Sequence, residues 1–450
     1  MINFSDIDKY SWKYDLCNRY LRFNHNNIYY KEYRVVNQED IPKPGEPVFI
    51  IGNHQNGLTD ALTLLYMYPD KRQPVFIARG DIFKKDFVAK LLYFLKILPS
   101  FRNRDGNRGD VRANSGIFDI AAHVLNRGNT LVMFPEASHQ SGNYLGTFKK
   151  GFPRVAFEAE AMADFKLGLK ILPVNIYYED YYNIRSRVLV TVGKTFTIEH
   201  LKELYETQPN NAYLKLNELA REKVKELTVD EGPEYYPQYD TIRKMIREDR
   251  LLKKGKNPDD LYEMKLEDMQ IVEELDKMLE CNPERHSKRM DDALYYERGL
   301  KKLGIKNWLV GKEITISSLL MKSLGLVLLF PFFLFGLITN GLPFFFPALL
   351  KRKIKDRQLH SSMNFAPGVI LTFPLMYLTW FIIGWIVFTW WGGILLAFSA
   401  YAILIPFYSY KKAFAKLRGA WRYHRLMKNN NPLLSNLQRI KAEMIAHGLR

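Results

Sequence analysis

The residues best suited to chemistry in this sequence are a histidine and an aspartate that lie close together, His54 and Asp60. Neutral imidazole accepts a proton near pH 7, and a carboxylate bonded to its other ring nitrogen fixes the tautomer and stabilises the imidazolium that forms. The pair is therefore a candidate for general-base catalysis. The structural alternative is a histidine satisfied within a turn and an aspartate at a helix start, where the helix dipole favours negative charge.

The spacing of this pair restricts the elements that can bring the two side chains together. On one ideal helix they would project about 240° apart and would not meet. An apolar run ends at Ile51, and Gly57 lies between the two residues. Because glycine permits a sharp turn, the sequence predicts a strand, a turn carrying His54, and a helix that begins near Thr59 with Asp60 in its first turn.

A second segment, residues 130–138, predicts a short buried strand that stops at Pro135. Glu136 and Ser138 then follow at the carboxyl end of that strand, which is the end where open α/β sheets bind ligands. Two interpretations of Glu136 stay open, namely a substrate contact and a structural acid that accepts hydrogen bonds from backbone amides.

Basic residues flank this segment on both sides. Arg102 and Arg104 follow the apolar residues 97–101, and Lys149 precedes an amphipathic run. Because guanidinium binds phosphate through a bidentate fork, the two arginines predict an anion site. The alternatives are solvated surface charges for the arginines and a solvated helix start for Lys149.

The order and spacing of these blocks over residues 45–200 resemble the glycerolipid acyltransferase family, whose members acylate glycerol 3-phosphate and lysophosphatidate. The family's histidine–aspartate motif is similar to His54 and Asp60, with one extra residue between them, and its arginine motif is similar to Arg102. The Phe-Pro-Glu-Gly-Thr-Arg motif is similar to residues 134–139, where alanine replaces the glycine and histidine the arginine. The family's proline-containing strand is similar to residues 172–174.

The resemblance implies an α/β acyltransferase domain, with a mixed sheet flanked by helices, that moves an acyl chain from acyl-CoA or acyl carrier protein to a hydroxyl of glycerol 3-phosphate or 1-acylglycerol 3-phosphate. It implies that His54 is the general base and that Asp60 orients it. Arg102, assisted by Arg104 or Lys149, is expected to bind the phosphate. Glu136 and Ser138 are expected to hold the glycerol part or the shape of the site.

Neither a metal nor a cofactor is expected. His139 stands near Glu136, but no other ligand-type residue lies at metal-binding spacing, and the family works without a metal. Two rival functions remain. A thioesterase or lipid hydrolase would use the same pair, although no Gly-x-Ser-x-Gly elbow is present, and an inactive membrane scaffold would not need the pair.

Composition narrows the setting. The chain of 450 residues has a formal net charge of +17 and is 14% aromatic, a balance that suits an anionic lipid surface. No zinc-finger, RNP-like or helix-turn-helix pattern favours nucleic acid. The two cysteines form no CxxC pair, and the N-terminus does not resemble a signal peptide. The catalytic region is therefore expected to face the cytoplasm.

The C-terminal part contains apolar runs at 319–339, 342–350, 369–389 and 394–408, and a span needs about 20 apolar residues. Basic clusters flank these runs at 301–312, 351–357 and 411–422, and the positive-inside rule places all three in the cytoplasm. The sequence thus predicts two membrane hairpins, the first re-entrant or barely spanning. They would turn at Asn340-Gly341 and at Gly392-Gly393. The alternative is that one run forms the core of a soluble helical domain.

These observations divide the chain into five predicted parts. An N-terminal amphipathic helical segment, which suits either a membrane interface or core packing, is followed by the acyltransferase domain, an accessory helical region, the membrane hairpins and a basic cytoplasmic tail. Their boundaries are 1–44, 45–200, 201–313, 314–410 and 411–450.

Overall fold

The computed structural model describes residues 3–100, 108–136, 142–354 and 359–447, without the side chains of 108–115, 370–372 and 447. Arg102, Arg104 and Ser138 lie outside the described residues. The chain divides into two compact units, Met1–Thr228 and Val229–Arg450. The first unit extends beyond the predicted acyltransferase domain at both ends.

The first unit is built on a sheet of seven strands, which confirms the predicted α/β domain with a mixed sheet. The spatial order is β1-β7-β6-β2-β5-β3-β4; β6 and β7 are antiparallel, and every other neighbouring pair is parallel. The strands are β1 Tyr30–Val36, β2 Val48–Gly52, β3 Val75–Arg79, β4 Ile97–Ser100, β5 Thr130–Met133, β6 Lys170–Tyr178 and β7 Ser186–Val192.

Seven α-helices belong to the described part of this unit. They are α1 Trp12–Phe23, α2 Leu58–Leu65, α3 Asp86–Phe94, α4 Arg108–Asn126, α5 Gly151–Met162, α6 Lys202–Thr207 and α7 Pro209–Lys225. A π-helix, Asn24–Tyr29, leads from α1 into β1. The main apolar core combines alternate residues of the central strands with helix residues such as Phe152 of α5 and Leu216 of α7. The five residues of β2 are buried on both faces, which explains their continuous apolar pattern.

The order of the strands brings the carboxyl ends of β2, β5 and β6 together at one edge of the sheet. Ile51 of β2 lies opposite Met133 of β5 and Pro173 of β6. Gly52 then ends β2 close to β6, where a Cβ atom would lie 2.9 Å from the Val174 side chain. The turn residues that follow β2 therefore start in contact with both neighbouring strands.

The second unit begins with helices that bury charged side chains. These helices are α8 Tyr236–Lys253, α9 Leu261–Cys281 and α10 Pro283–Leu303. Arg243 is buried between Glu231 and Asp268 and bonds to both carboxylates. Lys265 of α9 is also buried, and its burial lowers the pKa of the ammonium group to about 7.

The rest of the second unit contains α11 Ile316–Lys351, α12 Leu359–Phe365, α13 Phe373–Val387, α14 Trp390–Ala402, α15 Leu404–Lys428 and α16 Pro432–His447, with a π-helix, Ala366–Thr372, before α13. In the described part of the chain, three helical stretches are long and apolar enough to cross a membrane. They are Ile316–Lys351, Leu359–Val387 and Trp390–Lys428.

The turn predicted at Asn340-Gly341 is wrong, because both residues lie inside α11. A helix satisfies its own backbone groups, and the polar side chain of Asn340 finds partners on neighbouring helices. Its Nδ2 donates to the Ala400 carbonyl at 2.8 Å, and its Oδ1 accepts from the Tyr377 hydroxyl at 3.3 Å. A polar pair that favours a turn in water is thus accommodated within a helix.

The hairpin predicted at Gly392-Gly393 turns earlier in the chain, between α13 and α14. Thr389 begins α14 by accepting a hydrogen bond from the Gly392 N–H. The glycines lie in the first turn of α14 and allow close packing, since a Cβ atom on Gly384 of α13 would lie 2.7 Å from the Gly392 carbonyl oxygen. Small residues at such positions let two helix backbones approach closely.

Candidate active site

His54 and Asp60 are brought together by a strand–turn–helix arrangement at the carboxyl end of β2, as predicted. Gly57 adopts a φ of +53° just before α2, and this left-handed conformation favours glycine. Asp60 then lies in the first turn of α2. His54 Nδ1 lies 2.8 Å from Asp60 Oδ2, which is hydrogen-bonding distance.

The carboxylate of Asp60 is completely buried and receives further hydrogen bonds. Oδ2 accepts from the backbone N–H groups of Gln55 at 2.8 Å and Asn56 at 2.6 Å, and Oδ1 accepts from the Tyr178 hydroxyl at 2.6 Å. These donors supply the hydrogen bonds that a buried carboxylate cannot receive from water. Because a carboxylate can only accept, Nδ1 of His54 carries the proton and Nε2 presents a lone pair.

The imidazole ring of His54 is contacted by an aromatic ring on one face, in addition to the contact of its Nδ1 with Asp60. Phe134, the first residue after β5, stacks on it with ring centroids 4.4 Å apart and planes inclined by 15°. The side chain of His54 keeps 18% of its surface exposed, whereas Asp60 keeps none. The candidate base, His54, is therefore partly exposed to solvent, and its partner, Asp60, is buried.

Glu136 contacts the polypeptide on both of its carboxylate oxygens. Oε1 accepts from the backbone N–H of His54 and Oε2 from that of Gly146, each at 2.9 Å, and only 2% of the residue is exposed. Of the two interpretations left open by the sequence, the geometry favours the structural one. The glutamate ties the end of β5 to the turn that carries the histidine.

The remaining predicted site residue in the described part is Lys149. It is exposed immediately before α5, and its backbone N–H donates to the Pro135 carbonyl at 2.8 Å. The segment that carries it is thus anchored beside Glu136. Arg102, Arg104 and Ser138 lie outside the described residues.

Sequence reasoning missed several polar residues that surround the pair. Tyr181 donates to Gln55 Oε1 at 2.9 Å and also contacts Asn143 Oδ1, while Gln55 Nε2 donates to the Gly142 carbonyl. These contacts join the turn after β2 to the segment that begins at residue 142. A usable signal was the Tyr177-Tyr178 pair at the end of the strand that resembles the proline-containing strand of the family.

A second histidine, His25, lies behind the pair but differs from it in chemistry. It is fully buried, and burial lowers its pKa to about 3, so the ring is neutral at physiological pH. Its Nε2 lies 3.2 Å from the Thr63 hydroxyl oxygen on α2. This histidine therefore contributes to packing and hydrogen bonding inside the unit.

The mixed sheet, the histidine–aspartate pair at its carboxyl edge and the adjacent Phe-Pro-Glu segment define an acyltransferase domain. Residues 32–177 match the family model described as Acyltransferase, a range that begins in β1 and ends in β6. This part of the chain is therefore similar to the glycerolipid acyltransferases, and the chain is an acyltransferase.

Three curated relatives are similar to this chain. The 1-acyl-sn-glycerol-3-phosphate acyltransferase of Borreliella burgdorferi is 25% identical over 44% of this chain and 68% of its own length. The chloroplastic enzyme of the same name, LPAT1, from Arabidopsis thaliana is 26% identical over 31% of this chain and 34% of its own length. A probable enzyme of that name from Mycoplasma genitalium is 27% identical over 33% and 51% of the respective chains.

A solved structure is also similar. The crystal structure of the 1-acyl-sn-glycerophosphate acyltransferase PlsC from Thermotoga maritima aligns with 48% of this chain and 79% of that chain, at 19% identity and a TM-score of 0.35.

Proposed function

We propose that this chain transfers a fatty acyl group from a thioester donor, acyl-CoA or acyl carrier protein, to a hydroxyl of glycerol 3-phosphate or 1-acylglycerol 3-phosphate in phospholipid synthesis. The observation that carries the proposal is the 2.8 Å contact between His54 Nδ1 and Asp60 Oδ2. It leaves Nε2 as the basic nitrogen of a partly exposed ring. The names of the curated relatives support the choice of a glycerol phosphate acceptor.

In the proposed reaction, Nε2 of His54 takes the proton of the acceptor hydroxyl while the oxygen attacks the thioester carbonyl. A carbon–oxygen bond forms, the carbon–sulfur bond breaks, and the imidazolium returns its proton to the departing thiolate. Asp60 stabilises the imidazolium between these steps. The alcohol attacks the thioester directly, so the reaction needs no covalent enzyme intermediate and no cofactor.

The phosphate of the acceptor is assigned to Arg102, with assistance from Arg104 or Lys149. This assignment is supported by the family resemblance and by the fork geometry of guanidinium, which matches phosphate oxygens. Ser138 is proposed to hold the glycerol part. For Glu136, the two backbone contacts support a role in keeping the shape of the site.

The membrane helices of the second unit suit an acceptor that carries an acyl chain. We infer that the catalytic domain and the basic clusters at 301–312 and 411–422 lie on the cytoplasmic side, in keeping with the positive-inside rule. Contacts inside this unit support a common side for two of the clusters. Trp421 Nε1 donates to Ser323 Oγ at 3.1 Å and Arg422 contacts the Gly304 carbonyl, so the end of α15 lies beside the start of α11.

The experiment that tests the proposal is a transfer assay with the full chain in lipid nanodiscs. Labelled acyl-CoA or acyl carrier protein is supplied with glycerol 3-phosphate, with 1-acylglycerol 3-phosphate, or with the dephosphorylated acceptors, and the products are identified by mass spectrometry. The proposal predicts an ester of a phosphorylated acceptor. Release of free fatty acid at the same rate with and without acceptor would instead indicate a thioesterase, and no turnover of any donor would favour a scaffold.

A further inference from the structure

Tyr178 occupies a position that connects β6 to the acid of the proposed catalytic pair. It is the last residue of β6, it is 3% exposed, and its hydroxyl donates to Asp60 Oδ1 at 2.6 Å. The other oxygen of Asp60 accepts from His54 and from two backbone amides. The two carboxylate oxygens therefore have different partners. The Tyr178 hydroxyl bonds to Oδ1, the oxygen that does not contact the histidine.

This division of partners has two physical consequences. The hydroxyl opposes partial rotation of the carboxylate about its terminal bond, because such a rotation would lengthen the hydrogen bonds on both oxygens. A hydrogen bond to the charged form also lowers the affinity of a carboxylate for protons, whereas burial raises that affinity. Asp60 is fully buried, so the donor on Oδ1 replaces a hydrogen bond that water cannot supply there.

We propose that Tyr178 is a positioning residue that acts through Asp60 and sets the proton affinity of the His54–Asp60 pair. This proposal rests on the proposed function for its kinetic consequences, but the titration it predicts belongs to the pair itself. Tyr178 does not exchange a proton in the reaction. Its burial and the adjacent carboxylate raise the pKa of the phenol well above its usual range, so it remains a donor throughout the working pH range.

Other titratable groups surround these residues, and burial keeps two of them, Tyr30 and His25, uncharged near neutral pH. Tyr30 of β1 packs 6.2 Å from the Tyr178 ring and has a pKa raised well above its usual range by burial. Tyr181 packs 5.3 Å away on the other side, and the neutral His25 lies behind Tyr30. Glu136 contacts the backbone of His54 through its carboxylate. These neighbours remain in place in Tyr178→Phe, so a change in the titration of the pair would come from the lost hydroxyl.

The sign of the effect follows from the lost donor. In Tyr178→Phe the carboxylate of Asp60 accepts one hydrogen bond fewer. A proton added to the His54–Asp60 pair should therefore be bound more tightly, whichever of the two residues carries it. The apparent pKa of the pair should rise by roughly one pH unit. At a pH below the midpoint, the fraction of basic imidazole and the value of kcat/KM should then fall by about tenfold.

The test measures this titration without relying on acyl transfer. Diethyl pyrocarbonate modifies neutral imidazole, so its rate of reaction with His54, followed by mass spectrometry of the peptide that contains this residue, reports the pair in the full chain. We expect the midpoint of the rate against pH to move upward in Tyr178→Phe. Tyr66→Phe is the matched control, because this buried tyrosine hydroxyl has no hydrogen-bond partner among the described residues and its loss should leave the midpoint in place.

A second variant controls for misfolding and should shift the midpoint in the opposite direction. Replacement of Tyr178 by 3-fluorotyrosine keeps the hydroxyl and makes it a stronger donor, so the midpoint should move downward. Unchanged midpoints in both variants would overturn the proposal. Opposite shifts in a protein that transfers no acyl group would leave the positioning role in place while removing the proposed function, so the two failures are distinguishable.

Discussion

The carboxylate of Glu136 accepts a hydrogen bond from the backbone N–H of His54 at 2.9 Å, so the acid after β5 fixes the position of the base after β2. The second oxygen holds Gly146 in the same way. The glutamate thus links the end of β5 to the turn after β2 and to Gly146, and its effect on catalysis should appear through the placement of His54.

Glu136→Gln should therefore lower kcat while leaving the acceptor KM within about twofold. The amide nitrogen of glutamine would face a backbone N–H donor, and one lost hydrogen bond of this kind costs about 1 to 3 kcal/mol. Steady-state kinetics with varied acceptor concentration separate the two parameters. A rise in acceptor KM at unchanged kcat would return Glu136 to a substrate-binding role.

His54→Ala should reduce transfer by about 10² to 10⁴-fold, because loss of a general base removes this much rate. The exposed His200 offers a control, and His200→Ala should retain the wild-type rate. Circular dichroism and membrane flotation check that the inactive variant is folded and still associates with lipid. Near wild-type turnover without His54 would exclude the pair as the catalytic base.

Arg102→Ala should raise the acceptor KM by about tenfold or more, since a charge-assisted contact contributes roughly 1.5 to 3 kcal/mol. Arg102→Lys should recover only part of the affinity, because an ammonium lacks the bidentate fork. Comparison of phosphorylated and dephosphorylated acceptors measures the loss of discrimination. Unchanged acceptor KM values in both variants would assign the phosphate to other residues.

The burial of Lys265 predicts that the stability of the second unit depends on pH. Burial lowers its folded-state pKa to about 7, below the usual lysine value, so between these two values the unfolded chain binds more protons than the folded one. Its contribution to the free energy of unfolding should rise with pH over this window, by at most about 1.4 kcal/mol per pH unit, and should be lost as pH falls through about 7.

Lys265→Met provides the comparison for that slope. The thermal transition of the second unit, followed in detergent from pH 7 to pH 10, should rise more steeply with pH in the wild type than in this variant. Equal slopes would mean that the ammonium remains charged in the folded unit.

Cysteine labelling tests the proposed membrane topology. In a chain whose Cys17 and Cys281 are replaced by serine, cysteines at Lys306 and Lys416 should resist a membrane-impermeant thiol reagent in sealed, right-side-out cells. A cysteine at Gly392 should react, because the helical stretch Trp390–Lys428 is long enough to cross the membrane. Labelling of position 306 or 416 from outside would contradict the proposed topology.

The sequence was sufficient to predict the local part of the site. His54 and Asp60 lie within one strand–turn–helix segment, so their spacing and a single glycine determine how they meet. Tyr178 was missed because its contact with Asp60 depends on the pairing of β2 with β6, two strands more than a hundred residues apart in the sequence. Hydrophobic patterns do not specify such a partner.

The same distinction explains the outcome for the membrane helices. Apolar length predicted helices that are long and apolar enough to cross a membrane, because it depends only on consecutive residues. The turn at Asn340-Gly341 was predicted wrongly. These two residues favour a turn only where no neighbouring group forms hydrogen bonds with the asparagine side chain. Here the carbonyl of Ala400 and the hydroxyl of Tyr377 do so, and the helix continues.

The stacking of Phe134 on His54 makes the register between β2 and β5 a determinant of activity. Ile51 lies opposite Met133, and the next residues of β5 supply both the ring that lies on the imidazole and the acid that holds its backbone. Successive residues of a strand point to opposite faces, so inserting one residue into β5 would displace both the ring and the acid from their places beside His54. Length variation among homologous proteins should accordingly be rare in β5.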